Sequence, residues 1–388
     1  MTGTAVTSDT FEAILAGTPV SDLVRASLDA TTVDVYRAIG RAEAGQADLW
    51  DFAALISPAG GGLLEEIGQA ARRVTERRFG RAVHLFAPLY LSNECLSTCI
   101  YCGFSKDLDI RRRTLTPEEV QREARHLLHD GFRHVLLVSA EHRKHVSPEY
   151  LELVLRRLHP DVPSLTIETE VWDTDHYERF REAGCEGVVI YQETYDPATY
   201  ARTHVGGRKR HYGYRLAGPE RVARAGLRRI GIGALFGLHP QWREDAVALA
   251  AHGDWLVRTY WRLEVTAAFP RMRPSASGFE PAHLMGDREF VQLTAAYRLF
   301  LHDVGIVLST REPASLRDGL LPFGITHMSA GSHTEPGGYE QPGDAEEQFA
   351  ISDQRSPAEV VQVLRARGYD PVWKDWSAAL AGDALEAL

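Results

Sequence analysis

His84-Leu85-Phe86-Ala87-Pro88-Leu89-Tyr90-Leu91-Ser92-Asn93 runs straight into Glu94-Cys95-Leu96-Ser97-Thr98-Cys99-Ile100-Tyr101-Cys102-Gly103-Phe104. The first ten residues form a short apolar run with a polar end, the pattern of a buried strand. The loop that follows carries three of the chain's four cysteines, spaced Cys-x3-Cys-x2-Cys. Three thiolates on one short loop can hold three irons of a cubane [4Fe–4S] cluster and leave the fourth iron open to a small molecule. The competing reading is a zinc site, but structural zinc takes four ligands in paired, closed spacing. The remaining cysteine, Cys185, lies far along the chain and reads as a small buried apolar residue. A disulfide framework is disfavoured by so few cysteines.

Seven further apolar runs follow the first: 134–141, 164–171, 187–194, 229–237, 263–270, 306–312 and 326–332. Helical patterns separate most of them, at 117–130, 148–158, 175–183, 219–225, 242–260 and 287–303. Pro117, Pro148 and Pro219 suit a first helical turn, where a missing N–H costs nothing. Gly131, Gly184 and Gly226 stand where those helices should stop. The link between the last two runs, 314–324, is short. Eight runs alternating with helices predict an α/β fold, a parallel (β/α)8 TIM-type barrel. A doubly wound open sheet is the alternative. Residues 11–80 read as a helical N-terminal extension, with helices at 11–15, 20–28 and 63–78. Ser57-Pro58-Ala59-Gly60-Gly61-Gly62 reads as a break before the last of these. The expected division is 1–80, 81–332 for the barrel, and 333–388 as a C-terminal extension.

Composition restricts the function. A net charge of −10 argues against a polyanion such as nucleic acid as partner, and Arg111-Arg112-Arg113 reads as a solvated loop. No apolar stretch approaches the roughly 18–20 residues that span a bilayer. Met1–Thr10 lacks the order of a signal peptide, so a cytoplasmic enzyme is expected. The sixteen histidines are scattered and include no His-Glu-x-x-His pair.

A barrel gathers its chemistry at the C-terminal ends of its strands. Glu141 ends the second run, Glu168 and Glu170 the third, and Gln192-Glu193 the fourth. Arg271 and Arg273 follow the sixth, Arg311-Glu312 ends the seventh, and Ser329 to Ser332 the eighth. A carboxylate such as Glu168 accepts hydrogen bonds from both hydroxyls of a ribose, or pairs with an arginine. Gly231 and Gly233 admit either a close-lying ligand or tight barrel packing. Arg311 has the planar fork that binds a carboxylate bidentately, unless Glu312 takes it. Tyr90 and Ser329 share that mouth if the register holds.

The cysteine spacing resembles that of the radical S-adenosylmethionine (SAM) superfamily. Within it the chain resembles the 2-iminoacetate synthase family of tyrosine lyases, through 55–58, 87–93 with the cysteine loop, and Tyr191-Gln192-Glu193-Thr194-Tyr195. The likeness continues at 269–274, 308–312, Pro336-Gly337-Gly338-Tyr339 and 371–376. The resemblance implies that Cys95, Cys99 and Cys102 bind a [4Fe–4S] cluster whose open iron takes SAM. It also implies that Glu141 receives the SAM ammonium, Glu168 meets the ribose, and Gln192 and Arg271 assist at the cofactor. Ala140 stands where this family more often has glycine, and Glu170-Val171-Trp172 also departs from its pattern.

On the same likeness, Arg311 holds the carboxylate of L-tyrosine, with Tyr90 and Ser329 completing the catalytic set. The expected products are 2-iminoacetate and p-cresol, for thiazole formation in thiamine biosynthesis. Implied partners are an external one-electron donor of flavodoxin or ferredoxin type and thiazole synthase, docking on the helical N-terminus or the tail after Gly337. The lyase that matures [FeFe]-hydrogenase carries three further C-terminal cysteines that this sequence lacks, so the reaction is expected to end at the Cα–Cβ break. A tryptophan lyase of natural-product biosynthesis is the alternative within the group. A non-enzymatic iron–sulfur protein is the alternative outside it.

Overall fold

The computed structural model describes residues 10–281 and 283–374. The nine N-terminal residues and Asp375-Trp376, both used in the sequence reading, lie outside that range. Eight parallel strands close into a barrel: β1 (Ala82–Ser92), β2 (His134–Ser139), β3 (Ser164–Glu168), β4 (Cys185–Glu193), β5 (Arg229–Ala234), β6 (Glu264–Ala268), β7 (Gly305–Leu308) and β8 (His327–Ser329). Neighbours in sequence are neighbours in the sheet, and β8 returns to β1 through His84↔His327 and Phe86↔Ser329. The eight apolar runs are therefore the eight staves, and the open-sheet alternative falls.

Helices cover the outside, among them Pro117–His129, Pro148–Leu158 and Thr174–Glu182, and Trp242–Thr259 and Asp287–Phe300 further along. The Pro117 helix begins with a capping box, in which Thr116 and Glu119 satisfy each other's backbone N–H groups. Gly131 (φ 102°) and Gly184 (φ 104°) follow two helix ends in the left-handed region, where a side chain would be strained. The uncertain link before β8 is a short helix, Ala314–Leu320.

Residues 11–79 are largely helical, with three elements beyond those expected from sequence, Thr32–Glu43, Leu49–Leu55 and Pro58–Gly62. Ser57–Gly62 is not a break. Pro58–Gly62 forms a short helix, with Ser57 Oγ accepting from Gly60 N. A Cβ on Gly60 would lie 2.5 Å from Leu55 O and 2.9 Å from Gln292 Nε2. The glycine is there for close packing, and Gln292 donates to the carbonyls of Leu55 and Ser57.

The C-terminal part returns to the barrel twice. Tyr339 donates to Pro88 O at 2.6 Å, and Tyr90 donates to Gln348 Oε1 at 2.7 Å, so residues 339–349 lie over the mouth. A ninth strand, β9 (Asp370–Val372), then pairs in parallel with the start of β1 at Ala82↔Asp370. The tail between Gly337 and Phe349 is thus engaged with the barrel.

Candidate active site at the barrel mouth

The cysteine loop leaves the end of β1 and is fixed by groups that sequence reasoning assigned to solvent. The Arg112 guanidinium donates to the carbonyls of Asn93 (2.7 Å), Phe104 (3.2 Å), Ser105 (2.7 Å) and Leu108 (3.2 Å). Buried Asn93 bonds Arg111 O and Arg113 N, and Arg113 pairs with Glu119 and Asp344. The basic run is a brace, and its reading as a solvated loop is corrected. Thr98-Cys99 pairs antiparallel with His204–Gly206, and Tyr101 Oη lies 2.8 Å from His204 Nε2. A Cβ on Gly103 would lie 2.4 Å from Gln348 O, so the C-terminal segment packs directly on the loop.

Burial raises the thiols of Cys95 (to about 11), Cys99 and Cys102, and carboxylates such as Glu141 add to the shift at Cys95. Three buried thiols become thiolates only against positive charge, which an iron cluster supplies. Among the described residues, the groups of His, Cys, Asp and Glu whose ligand atoms all lie within 4.8 Å of one another are Glu94–His142–His145 and Asp173–Asp175–His176. The cysteine triplet is not one of them. Three thiols on one loop, with the fourth cysteine away at the start of β4, form a donor set that fits an iron–sulfur cluster with one iron left open. Cys185 is buried at the start of β4, where its Sγ donates to Gly187 O.

Beside the loop, carboxylates and bases are matched. Glu141 accepts from Ser97 Oγ (3.0 Å) and pairs with Arg215 (3.4 Å). Glu170 pairs with Arg143 (2.7 Å) and Arg208 (2.6 Å). Glu193 pairs with the buried Lys209 ammonium at 2.8 Å and with Arg215 at 3.7 Å. Glu193 is also the one described non-glycine residue with positive φ (71°), next to a bulge at Gln192 in the β4–β5 pairing. Strain of this kind, of order 1–3 kcal/mol, persists where surrounding contacts over-determine it. Both amide atoms of Gln192 are buried and unpartnered.

Across the mouth, charges are left over. A cavity brings together Tyr90, Glu168, Tyr191, Arg311, Ser329 and Gln348. Arg311 forms no ion pair with any described carboxylate, and its guanidinium lies 3.3 Å above the centre of the Phe349 ring. Burial lowers its pKa, while Tyr90, Tyr191 and Glu168 pull the other way. The Arg311–Glu312 pair is not formed. Glu312 is taken by Arg271 through two bonds and by Arg273 at 2.7 Å. Arg271 also donates to Met285 O and Asp287, so its guanidinium is engaged within the chain. Glu168 has no ion pair among the described residues, and burial with nearby Glu193 raises its pKa to about 7. Ser329 Oγ accepts from Thr310 N at 3.2 Å. Gly231 and Gly233 make room for packing, since Cβ atoms there would meet Val189 and the Tyr191 ring.

Residues 89–250 match the Radical SAM superfamily, and residues 268–370 match the Biotin and Thiamin Synthesis associated domain. The 2-iminoacetate synthase of Escherichia coli (strain K12) is 42% identical over 358 residues, covering 92% of this chain and 94% of that protein. The chain belongs to the 2-iminoacetate synthase family. The Salmonella typhimurium member is 41% identical, covering 90% of this chain and 92% of its own length. The FeFe-hydrogenase maturase HydG from Carboxydothermus hydrogenoformans superposes with a TM-score of 0.88 at 31% identity, covering 95% of this chain and 86% of that one. As a radical SAM enzyme of the 2-iminoacetate synthase family, the protein uses an iron–sulfur cluster and SAM. Among the described residues, no helix is long and apolar enough to cross a membrane.

The residues that sequence reading missed are Arg112, Lys209, Arg215, Gln348 and Phe349. Only the last two had a local signal, a Gln-Phe pair in a polar stretch behind Pro336-Gly337-Gly338-Tyr339.

Proposed function

We propose that the protein cleaves the Cα–Cβ bond of L-tyrosine, giving 2-iminoacetate and p-cresol for thiazole formation in thiamine biosynthesis. The observation that carries this reading, beside family membership, is the unpaired Arg311 guanidinium inside a cavity next to the cysteine loop. A desolvated arginine with no acid of its own favours a ligand that brings a carboxylate.

In this reading Cys95, Cys99 and Cys102 hold a [4Fe–4S] cluster. With SAM bound, the cluster would pass the electron that splits the sulfonium into methionine and a carbon radical able to take a hydrogen atom from the tyrosine amino group. Arg311 fixes the carboxylate, and Tyr90 and Ser329 orient the amino-acid end. Glu141 takes the ammonium of SAM, Glu168 its ribose hydroxyls, and Gln192 offers its unpartnered amide. Arg271 steadies the strand end through Glu312. The segment carrying Gln348 and Phe349 shields the mouth from solvent, which keeps stray hydrogen donors away and fixes the reacting geometry. Residues 1–80 and 333–388 serve as extensions of a barrel at 81–332. The working compartment is the cytoplasm, where free thiols persist. Two electrons come from a flavodoxin or ferredoxin, one to cleave SAM and one that, with a proton, turns the departing aromatic radical into p-cresol, and the labile 2-iminoacetate passes to thiazole synthase.

Anaerobic reconstitution tests the reading. With tyrosine and tryptophan supplied side by side, p-cresol is the expected product, and Cys99→Ala abolishes SAM cleavage. Formation of 3-methyl-2-indolic acid in place of p-cresol would overturn the substrate. Full SAM cleavage by Cys99→Ala would overturn the cluster assignment.

A further inference from the structure

Beneath the mouth, a second cavity lies inside the barrel, lined by Phe86, Leu136, Thr166, Tyr191 and His327. It shares Phe86, Leu136, Tyr191, Ala268 and Val307 with the first, so the two are one shaft with an apolar collar. Strand alternation sets the layers. Ser329 and Glu168 belong to the mouth, while His327 and Thr166, two residues earlier on β8 and β3, line the lower cavity. Most of the floor is apolar or already bonded, His134 Nε2 lying 3.0 Å from Thr166 Oγ1.

His327 differs. It is 5% exposed, its Nδ1 lies 2.9 Å from Thr326 Oγ1, and its Nε2 is buried with no partner. Gly305 leaves space for this ring, since a Cβ there would lie 3.0 Å from His327 Cε1. The Thr326 hydroxyl has one proton and directs it to Ile306 O at 3.3 Å. Assigning that proton to Ile306 O makes Nδ1–H of His327 the donor to Thr326 and leaves the unpartnered Nε2 as a lone-pair acceptor. Burial, together with His84, Arg229 and His134 nearby, pushes the imidazole well below its usual pKa and so keeps it neutral. A buried acceptor without a donor costs about 1–3 kcal/mol, which a matching ligand recovers.

We propose that His327 is the specificity-determining residue for the far end of the substrate, its Nε2 accepting the para-hydroxyl of an aromatic amino acid whose carboxylate is held at Arg311. His327 lies two residues, about 6.6 Å of strand rise, below Ser329, on the side away from the mouth that holds Arg311. The ring then fills the collar of Phe86, Leu136, Ala268 and Val307. Phenylalanine would leave Nε2 unpaired, and a site built to bond a hydroxyl rejects the analogue lacking it by about 10⁴-fold. This assignment rests on the tyrosine-lyase reading and names the group that would enforce it.

The test compares tyrosine with phenylalanine on the reconstituted holoenzyme and, separately, the binding of p-cresol with that of toluene. For His327→Phe, the tyrosine-over-phenylalanine ratio in kcat/KM is expected to fall at least about tenfold, with p-cresol losing its advantage over toluene. His327→Gln keeps an acceptor, restores part of both ratios, and covers the case in which the Phe variant misfolds. Unchanged ratios in both variants, with tyrosine still consumed, would overturn the assignment. Absence of tyrosine turnover in the wild type, with p-cresol still favoured through His327, would overturn the lyase reading and leave the phenol site standing.

Discussion

Arg271 and Arg311 follow the ends of neighbouring strands, β6 and β7, yet they live in opposite electrostatic regions. Arg271 meets Glu312, Asp287 and a backbone carbonyl, and its charge is fully answered by the fold. Arg311, one residue before Glu312, meets the Phe349 ring and an open cavity. The same division holds for the acids: Glu141, Glu170 and Glu193 are paired, whereas Glu168 is not. Charges that build the rim are satisfied within the chain, and charges that face the cavity are left for something else to satisfy. A perturbed or unpaired buried charge in a cleft marks a working site for this reason.

The sharpest way to break that contrast is to remove each arginine in turn. Arg271→Ala removes two bonds to the buried Glu312 carboxylate and leaves it to Arg273 alone, so it should cost about 1.5–3 kcal/mol of stability by denaturant unfolding. Arg311→Ala removes a desolvated charge without stranding an acid, so unfolding should be unchanged or slightly harder. Tyrosine use should nevertheless fall by about 10- to 100-fold, the worth of a charge-assisted hydrogen-bond pair. Equal destabilisation by both variants would erase the distinction.

Glu168 offers a test by titration. Its folded pKa of about 7 exceeds the ordinary 4.5, so the folded state binds the extra proton between those values. Stability of the cluster-free protein should therefore fall as pH rises from about 4.5 to 7 and then level off. Glu168→Gln should flatten that part of the melting profile, and an unaltered slope would place the titrating group elsewhere. The smallest effect is expected at Gln348→Ala, which takes away the partner of the Tyr90 hydroxyl. A loss of about 0.5–1.5 kcal/mol should raise the KM for tyrosine roughly three- to tenfold with iron content unchanged.

These contrasts were legible in the sequence only in part. The eight staves and the cysteine triplet announce themselves through local period and spacing, and Arg311 through its place at a strand end. Arg112 has no such signal, because its partners are carbonyls whose positions depend on the folded loop. Gly60 looks like a helix breaker until Leu55 and Gln292 are seen to exclude any side chain. Gln348 and Phe349 sit in a polar stretch whose meaning comes from the distant β1 and β7 ends. β9 is three residues long and is recognisable only by the strand it joins.

That late return to β1 also bears on how the protein reaches its folded state. β1 pairs with β2 along Ala87–Ser92, with β8 along His84–Phe86 and with β9 along Ala82–His84. The seam between β1 and β8 joins positions about 240 residues apart, an entropic closure cost on the order of 5 kcal/mol before contacts repay it. During synthesis the strand that launches the cysteines emerges early, while its closing neighbours emerge near the end. The β1–β8 seam and the cover that Gln348 lays over the cysteine loop therefore cannot form before the last third of the chain is made.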